Sequence, residues 1–191
     1  MSGAGQTTSA LARWTLMGAA LTTLALGVWM RWALTGSTRL PFEFAHLRHA
    51  HSHLGYFALL FPLAWGGWSA AGAPVPGRAA LVLYAFATCV SFVGFTLAGY
   101  GPVSIAGSTV VAIVWLWSAW PLLPRIRHLR DPLGGVPLGI VLALACVPPI
   151  AAILRSDPSL AQALVSTFLA ALLFLVVVPS AFAAFGEKRV L

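Results

Sequence analysis

The sequence predicts an all-α integral membrane protein built as a six-transmembrane-helix bundle, on three observations. The chain of 191 residues is 60% hydrophobic and only 8% charged, and its mean hydropathy is +0.91. Such a composition leaves too few polar side chains to cover a water-soluble surface. The apolar residues form continuous runs of about 20, the length of a membrane-spanning helix. The runs lack the apolar–polar alternation that is typical of a β-barrel strand.

Glycine, proline and charged residues divide the chain into six apolar runs, which we interpret as the spans of a single transmembrane domain over residues 1–191. The predicted spans are about 13–34, 44–71, 79–100, 104–123, 136–154 and 159–184. Arg13 precedes the first run as in a signal sequence, but no small-residue cleavage site follows it. We therefore expect the first run to be a retained helix.

The distribution of basic residues predicts the orientation of the chain. The net charge is +7, and the basic residues lie mostly in short loops, which indicates contact with anionic lipid headgroups and no nucleic-acid partner. With both termini in the cytoplasm, the inner set is Arg13, Arg78, Arg125, Arg127, Arg130, Lys188 and Arg189, and the smaller outer set is Arg31, Arg39, Arg48 and Arg155. The positive-inside rule favours this orientation, in what we expect to be a bacterial inner membrane.

Four of the five histidines of the chain are concentrated at the start of the second predicted span. They are His46, His49, His51 and His53. At about 100° per residue, His46, His49 and His53 share one narrow stripe of a helix, and His51 points elsewhere. In the predicted orientation this cluster lies at the outer end of the span. Ionisable groups at such a position are functional candidates, because they are costly to place in a membrane.

The composition of this helical face favours metal ligation. Imidazole is a common ligand of zinc, copper and haem iron, and residues three or four positions apart on a helix can reach one ion. Glu43 and Tyr56 flank the stripe. A carboxylate beside a ligating histidine commonly fixes its tautomer, so we assign Glu43 and Tyr56 to the surroundings of the metal.

The string His-Ala-His-Ser-His-Leu-Gly-Tyr resembles a motif of haem–copper-oxidase-like membrane proteins and is similar to the NnrS-type haem–copper proteins. The matching residues are His49, His51, His53, Gly55 and Tyr56, within a stretch of about a dozen residues. The resemblance implies haem or copper as the cofactor. After His53 the chain has only His128, in an inner loop, whereas a complete oxidase subunit has further histidines on later helices. The chain is therefore not expected to house a complete haem–copper centre alone.

Haem and copper make different demands on the cluster. Two axial ligands of a haem lie on opposite faces of the macrocycle, and one regular helix cannot supply both. A bis-histidine haem would need a second copy or another chain, or else Met30 as the other ligand. A single ion can be held by His46, His49 and His53 with Glu43 or water. Tyr100 is predicted on the same membrane side, as a residue of the pocket.

Three functions remain open from the sequence. The first is a redox subunit or a handler of a metal or a diatomic ligand. The second is a small transporter or channel-like protein whose histidine entrance changes protonation. The third is an apolar assembly subunit of a larger membrane complex. The sequence has no nucleophile–base pair and no phosphate-binding glycine loop, which argues against hydrolases and nucleotide-driven functions. Whether the chain is an enzyme stays open.

Overall fold

The computed structural model describes residues 3–36, 41–128, 131–153 and 156–186. Over these ranges the regular structure is helical, without a strand. The α-helices are α1 Gly3–Leu34, α2 Phe44–Leu54, α3 Phe61–Ala70, α4 Arg78–Ala98, α5 Pro102–Ala119, α6 Val136–Ile153, α7 Pro158–Ala170 and α8 Val178–Gly186. A π-helical segment, Gly55–Leu60, joins α2 to α3, and another, Ala171–Val177, joins α7 to α8. Trp120–Arg127 and Pro132–Gly135 are 3-10 helices that adjoin α5 and α6.

Four helical stretches in the described ranges are long and apolar enough to cross a membrane. They are Arg78–Ala98, Pro102–Arg127, Pro132–Ile153 and Pro158–Phe185. The described part of α1 adds a shorter apolar stretch, Ala20–Leu34. These stretches make the chain an all-helical protein suited to insertion in a membrane. Four of the predicted apolar runs coincide with them, whereas the six-span count and the orientation remain predictions.

The helix boundaries follow from proline, glycine and aspartate. Helix α7 begins at Pro158 because Asp157 caps it: Asp157 Oδ1 accepts a hydrogen bond of 3.0 Å from the Leu160 N–H. Asp131 caps the 3-10 helix Pro132–Gly135 in the same way, accepting from the Leu133 N–H at 2.9 Å. Helix α4 ends at Ala98, two residues before the predicted end of its run, because Gly99 takes a left-handed conformation with φ +61°.

The second predicted span is continuous but not a regular α-helix. Its middle is the π-helical segment Gly55–Leu60, which the apolar pattern did not predict. The hydroxyl of Tyr84 on α4 donates a hydrogen bond to the Phe57 carbonyl within this segment. A π segment offsets the i→i−4 ladder, so this carbonyl is available to a side chain of another helix.

The described chain divides into two compact units. Unit 1 comprises Met1–Pro62 and Ala79–Val111, and unit 2 comprises Leu63–Arg78 and Ala112–Leu191. In unit 1, α4 and α5 approach closely: a Cβ on Gly94 would lie 2.8 Å from the Ser104 nitrogen. In unit 2, the Trp68 Nε1–H donates to Ser180 Oγ at 2.8 Å. Close approach of helix backbones at small residues is a common way for apolar helices to pack in a membrane.

Candidate functional site

The histidine cluster lies in unit 1, on the eleven-residue helix α2. Leu47 and Ala50 anchor this helix, with 1% and 0% of their surfaces exposed. The three stripe histidines, His46, His49 and His53, pack against the end of α4 and the turn that follows it.

His46 contacts the turn through a glycine. An ideal Cβ built on Gly99 would lie 2.6 Å from the Cδ2 atom of the His46 ring, so only a residue without a side chain fits there. On the same edge of the ring, His46 Nε2 lies 3.3 Å from Glu43 Oε2. Glu43, which flanks the stripe in the sequence, thus lies beside His46, and its assignment to the surroundings of a metal stays a prediction.

Tyr100 contacts the next two histidines of the stripe. Its ring meets that of His49 edge-on, with centroids 4.7 Å apart. Its hydroxyl lies 3.3 Å from His53 Nε2, within hydrogen-bonding distance. The structure therefore brings Tyr100 together with His49 and His53.

His53 is the most enclosed member of the stripe. Its ring stacks on Phe95 of α4, with centroids 4.0 Å apart and 6° between the planes. Tyr56 approaches the same ring edge-on, at 6.3 Å between centroids. While Nε2 faces Tyr100, His53 Nδ1 is shielded from solvent and has no hydrogen-bond partner among the residues that the structure describes.

The turn that carries Tyr100 is held by a buried serine. Ser104 is 0% exposed, and its Oγ lies 2.6 Å from the Gly99 carbonyl oxygen and 2.9 Å from that of Gly101. The same oxygen accepts the Gly101 N–H at 3.0 Å. These contacts fix the backbone on both sides of Tyr100.

His51 points away from the other three histidines, as the helical spacing indicated. Its ring packs on α1, where a Cβ on Gly27 would lie 3.1 Å from His51 Cε1. Its Nδ1 is also buried without a hydrogen-bond partner in the described part of the chain. The four histidines thus form a stripe of three and a single residue on the opposite side. The structure does not gather them around one point.

Met30, the remaining predicted residue, lies in different surroundings. It is buried in unit 1, with 7% of its surface exposed, and its role as an axial ligand stays a prediction. Phe95, Gly99 and Gly27 were not predicted as part of the site. The sequence Gly99-Tyr100-Gly101-Pro102 signals a tight turn, but nothing in it reveals which helix the turn meets.

The described imidazoles of the cluster do not converge on one position. Among the described residues, no group of three or more His, Cys, Asp or Glu side chains lies close enough to hold one metal ion. A mononuclear copper centre built from His46, His49 and His53 therefore does not fit this arrangement. A haem iron with one axial imidazole needs no such convergence, and His51 and His53 each have a buried Nδ1 without a hydrogen-bond partner among the described residues.

Comparison of the chain with protein-family models, with curated proteins and with solved structures found no match. The resemblance to the haem–copper proteins accordingly remains the one drawn from the motif around His49, His51 and His53.

Proposed function

We propose that the chain is a six-span membrane protein, with both termini in the cytoplasm of a bacterium, that binds haem through the histidine cluster at the outer end of its second span. It would serve as a redox subunit or as a handler of diatomic ligands. The proposal is supported by the concentration of histidines, by the packing of His46, His49 and His53 against Gly99 and Tyr100, and by buried imidazole nitrogens that have no hydrogen-bond partner in the described part of the chain.

The observation that carries the proposal is the environment of His53. Its ring is held by Phe95, and its Nε2 is within reach of Tyr100, but its Nδ1 is buried and unpaired among the described residues. A buried polar atom left without a hydrogen bond costs about 1–3 kcal/mol. A bond from this nitrogen to a metal would remove that cost. The enclosure of the ring would also hold it in a fixed orientation.

Of the two cofactors that the motif implies, the arrangement favours haem over copper. Copper in a site of several imidazoles needs them to converge, and the described histidines do not. Haem iron needs only one or two axial ligands. When bound, haem would supply one-electron transfer or reversible binding of a diatomic ligand, and the protein would supply ligation and burial. The candidate ligands are His53 first, then His49, His46 and His51.

A haem with two axial ligands must take the second from outside the stripe. The candidates are Met30, a second copy of the chain, or another subunit of a membrane complex. The last two candidates would make a homo-oligomer or a larger complex part of this proposal.

The test is to purify the protein in mild detergent and to record its visible spectrum, oxidised and reduced, with bound iron, copper and zinc measured in parallel. The variants are His53→Ala, His49→Ala and the control His128→Ala, which changes an exposed histidine in unit 2. We expect a Soret band that disappears in His53→Ala and persists in the control.

Other results would redirect the assignment. Bound copper without a Soret band, lost in the same variants, would replace haem by copper. A colourless, metal-free protein from cells supplied with haem and copper would overturn metal binding altogether. The chain would then be better explained as a transporter with a histidine-lined entrance, or as an assembly subunit of a larger membrane complex.

A further inference from the structure

A separate feature of unit 2 is the 3-10 helix Trp120–Arg127, which extends the span of α5. At about three residues per turn, Trp120, Leu123 and Ile126 lie on one face. Their exposed fractions are 71%, 38% and 45%. Leu122, on the opposite face, is fully buried. The segment is thus amphipathic, with one side in the core of unit 2 and an apolar stripe outside.

The preceding turn of α5 continues this stripe. Trp117 lies three residues before Trp120 and is 64% exposed. An exposed indole at the end of a span is typical of the membrane–water interface, because it has an apolar ring and a polar N–H. The two indoles indicate that the exposed face of this segment lies at the level of the lipid headgroups.

The two described arginines of the segment differ in their partners. Arg125 Nη1 lies 3.1 Å from Asp131 Oδ2, and a Cβ on Gly134 would lie 2.8 Å from the Arg125 carbonyl oxygen. Both contacts of Arg125, its ion pair with Asp131 and the packing of its carbonyl on Gly134, are therefore made within unit 2. Arg127 is exposed, and no carboxylate in the described ranges pairs with its guanidinium. Arg127 directly follows Ile126, the last residue of the apolar stripe, and its charge is not offset by a carboxylate among the described residues.

We propose that Trp117, Trp120, Leu123, Ile126 and Arg127, here called the Trp–Arg surface, bind an anionic glycerophospholipid. The apolar stripe takes the acyl chains, and the guanidinium takes the headgroup phosphate. A guanidinium suits this role because its planar donors match phosphate oxygens. In the orientation proposed above, this segment lies at the cytoplasmic face, and the cytoplasmic leaflet is rich in anionic lipid that complements the charge of Arg127. The inference rests on that proposed orientation and is independent of the histidine cluster.

The test is native mass spectrometry of the detergent-purified protein, with phosphatidylglycerol or phosphatidylcholine added at equal concentration. The variants are Arg127→Gln, Trp120→Leu and the control Arg125→Gln. For the wild type we expect the tightest-bound lipid to be phosphatidylglycerol, preferred about five-fold, the factor that one uncompensated arginine near a lipid surface provides. Arg127→Gln should abolish this preference. Trp120→Leu should weaken retention of both lipids, because it removes apolar contact and not charge.

The control separates a specific headgroup contact from a general effect of charge. Arg125→Gln removes the same charge from the same segment, yet it should keep the preference, because Arg125 is already paired with Asp131. Equal binding of the two lipids by the wild type would overturn the proposal. So would an undiminished preference in Arg127→Gln, an equal loss in both arginine variants, or lipid retention unchanged by Trp120→Leu. A stable protein partner displaced by Arg127→Gln, without a lipid preference, would assign the surface to a protein instead.

Discussion

The imidazole of His53 lies flat on the ring of Phe95, with centroids 4.0 Å apart and planes 6° from parallel. The Tyr100 ring meets Phe95 edge-on, at 5.1 Å between centroids, and its hydroxyl reaches His53 Nε2. Two aromatic rings, one on α4 and one in the α4–α5 turn, therefore fix the orientation of this histidine of α2. The stacking of His53 on Phe95 holds α2, which carries many polar residues, against the apolar helix α4.

Phe95→Ala should destabilise unit 1 strongly. Phe95 is 1% exposed, and truncation of a buried phenylalanine costs about 3–5 kcal/mol. The matched control is Phe86→Ala, because Phe86 lies on the same helix but is 67% exposed. The measurement is the free energy of unfolding in detergent. Equal losses in the two variants would contradict the assigned packing.

Tyr100→Phe should lower the free energy of unfolding by about 1 kcal/mol, the usual net contribution of one hydrogen bond. The substitution removes the hydroxyl near His53 Nε2 but keeps the ring contacts with His49 and Phe95. Tyr100→Ala removes both and should cost more. Identical unfolding curves for the wild type and Tyr100→Phe would show that the hydroxyl contributes nothing.

Gly99→Ala should displace His46, whereas Gly72→Ala should not displace any ring. Both glycines have nearly the same backbone, with φ +61° and +62°, so alanine carries a similar strain of about 1–2 kcal/mol at each position. Only Gly99 faces a side chain, and nothing lies within 4 Å of a Cβ on Gly72. We expect Gly99→Ala to cost at least about 1 kcal/mol more, the lower range for overpacking. Chemical denaturation of the two variants gives this difference directly.

Two adjacent glycines of α3 should respond in opposite directions. A Cβ on Gly67 would overlap the Ser180 carbonyl oxygen, whereas a Cβ on Gly66 meets nothing within 4 Å. Gly67→Ala should therefore cost about 1–3 kcal/mol or more, because backbone atoms must move apart. Gly66→Ala should stabilise α3 by up to about 1 kcal/mol. Thermal midpoints that fall equally in both variants would disprove the close packing of Gly67 on Ser180.

The cap of α7 should make stability depend on pH in acid. Hydrogen bonds from the Leu160 N–H and from the Ser159 hydroxyl hold the pKa of Asp157 below its ordinary value of 3.8. A lowered folded-state pKa means that the stabilisation is present above pH 3.8 and is lost as the pH falls below it toward the folded pKa. Asp157→Asn keeps an accepting oxygen but does not titrate. The thermal midpoint of the wild type should thus fall more steeply below pH 3.8 than that of this variant, and parallel profiles would rule out the cap as the source.

Part of the site was predictable because helical geometry is local. The spacing of His46, His49 and His53 placed them on one stripe, and it placed His51 elsewhere. In the structure the His46 ring lies against Gly99 and the His51 ring against Gly27. The two rings thus face different neighbours, as their spacing on the helix indicates. The π segment Gly55–Leu60 was not predictable, since the apolar pattern does not distinguish it from an α-helix, and the residue that bonds to it, Tyr84, lies on another helix.

The sequence by itself determined the all-helical class, the apolar stretches suited to a membrane and the grouping of histidines on α2. These properties depend on composition and on a period of about 3.6 residues, both of which are local. Only the tertiary structure decided that Phe95 and Tyr100 enclose His53, and that the imidazoles stay apart. Such contacts depend on how α1, α4 and the α4–α5 turn pack on α2. The local sequence around a residue does not indicate which distant residue it will contact.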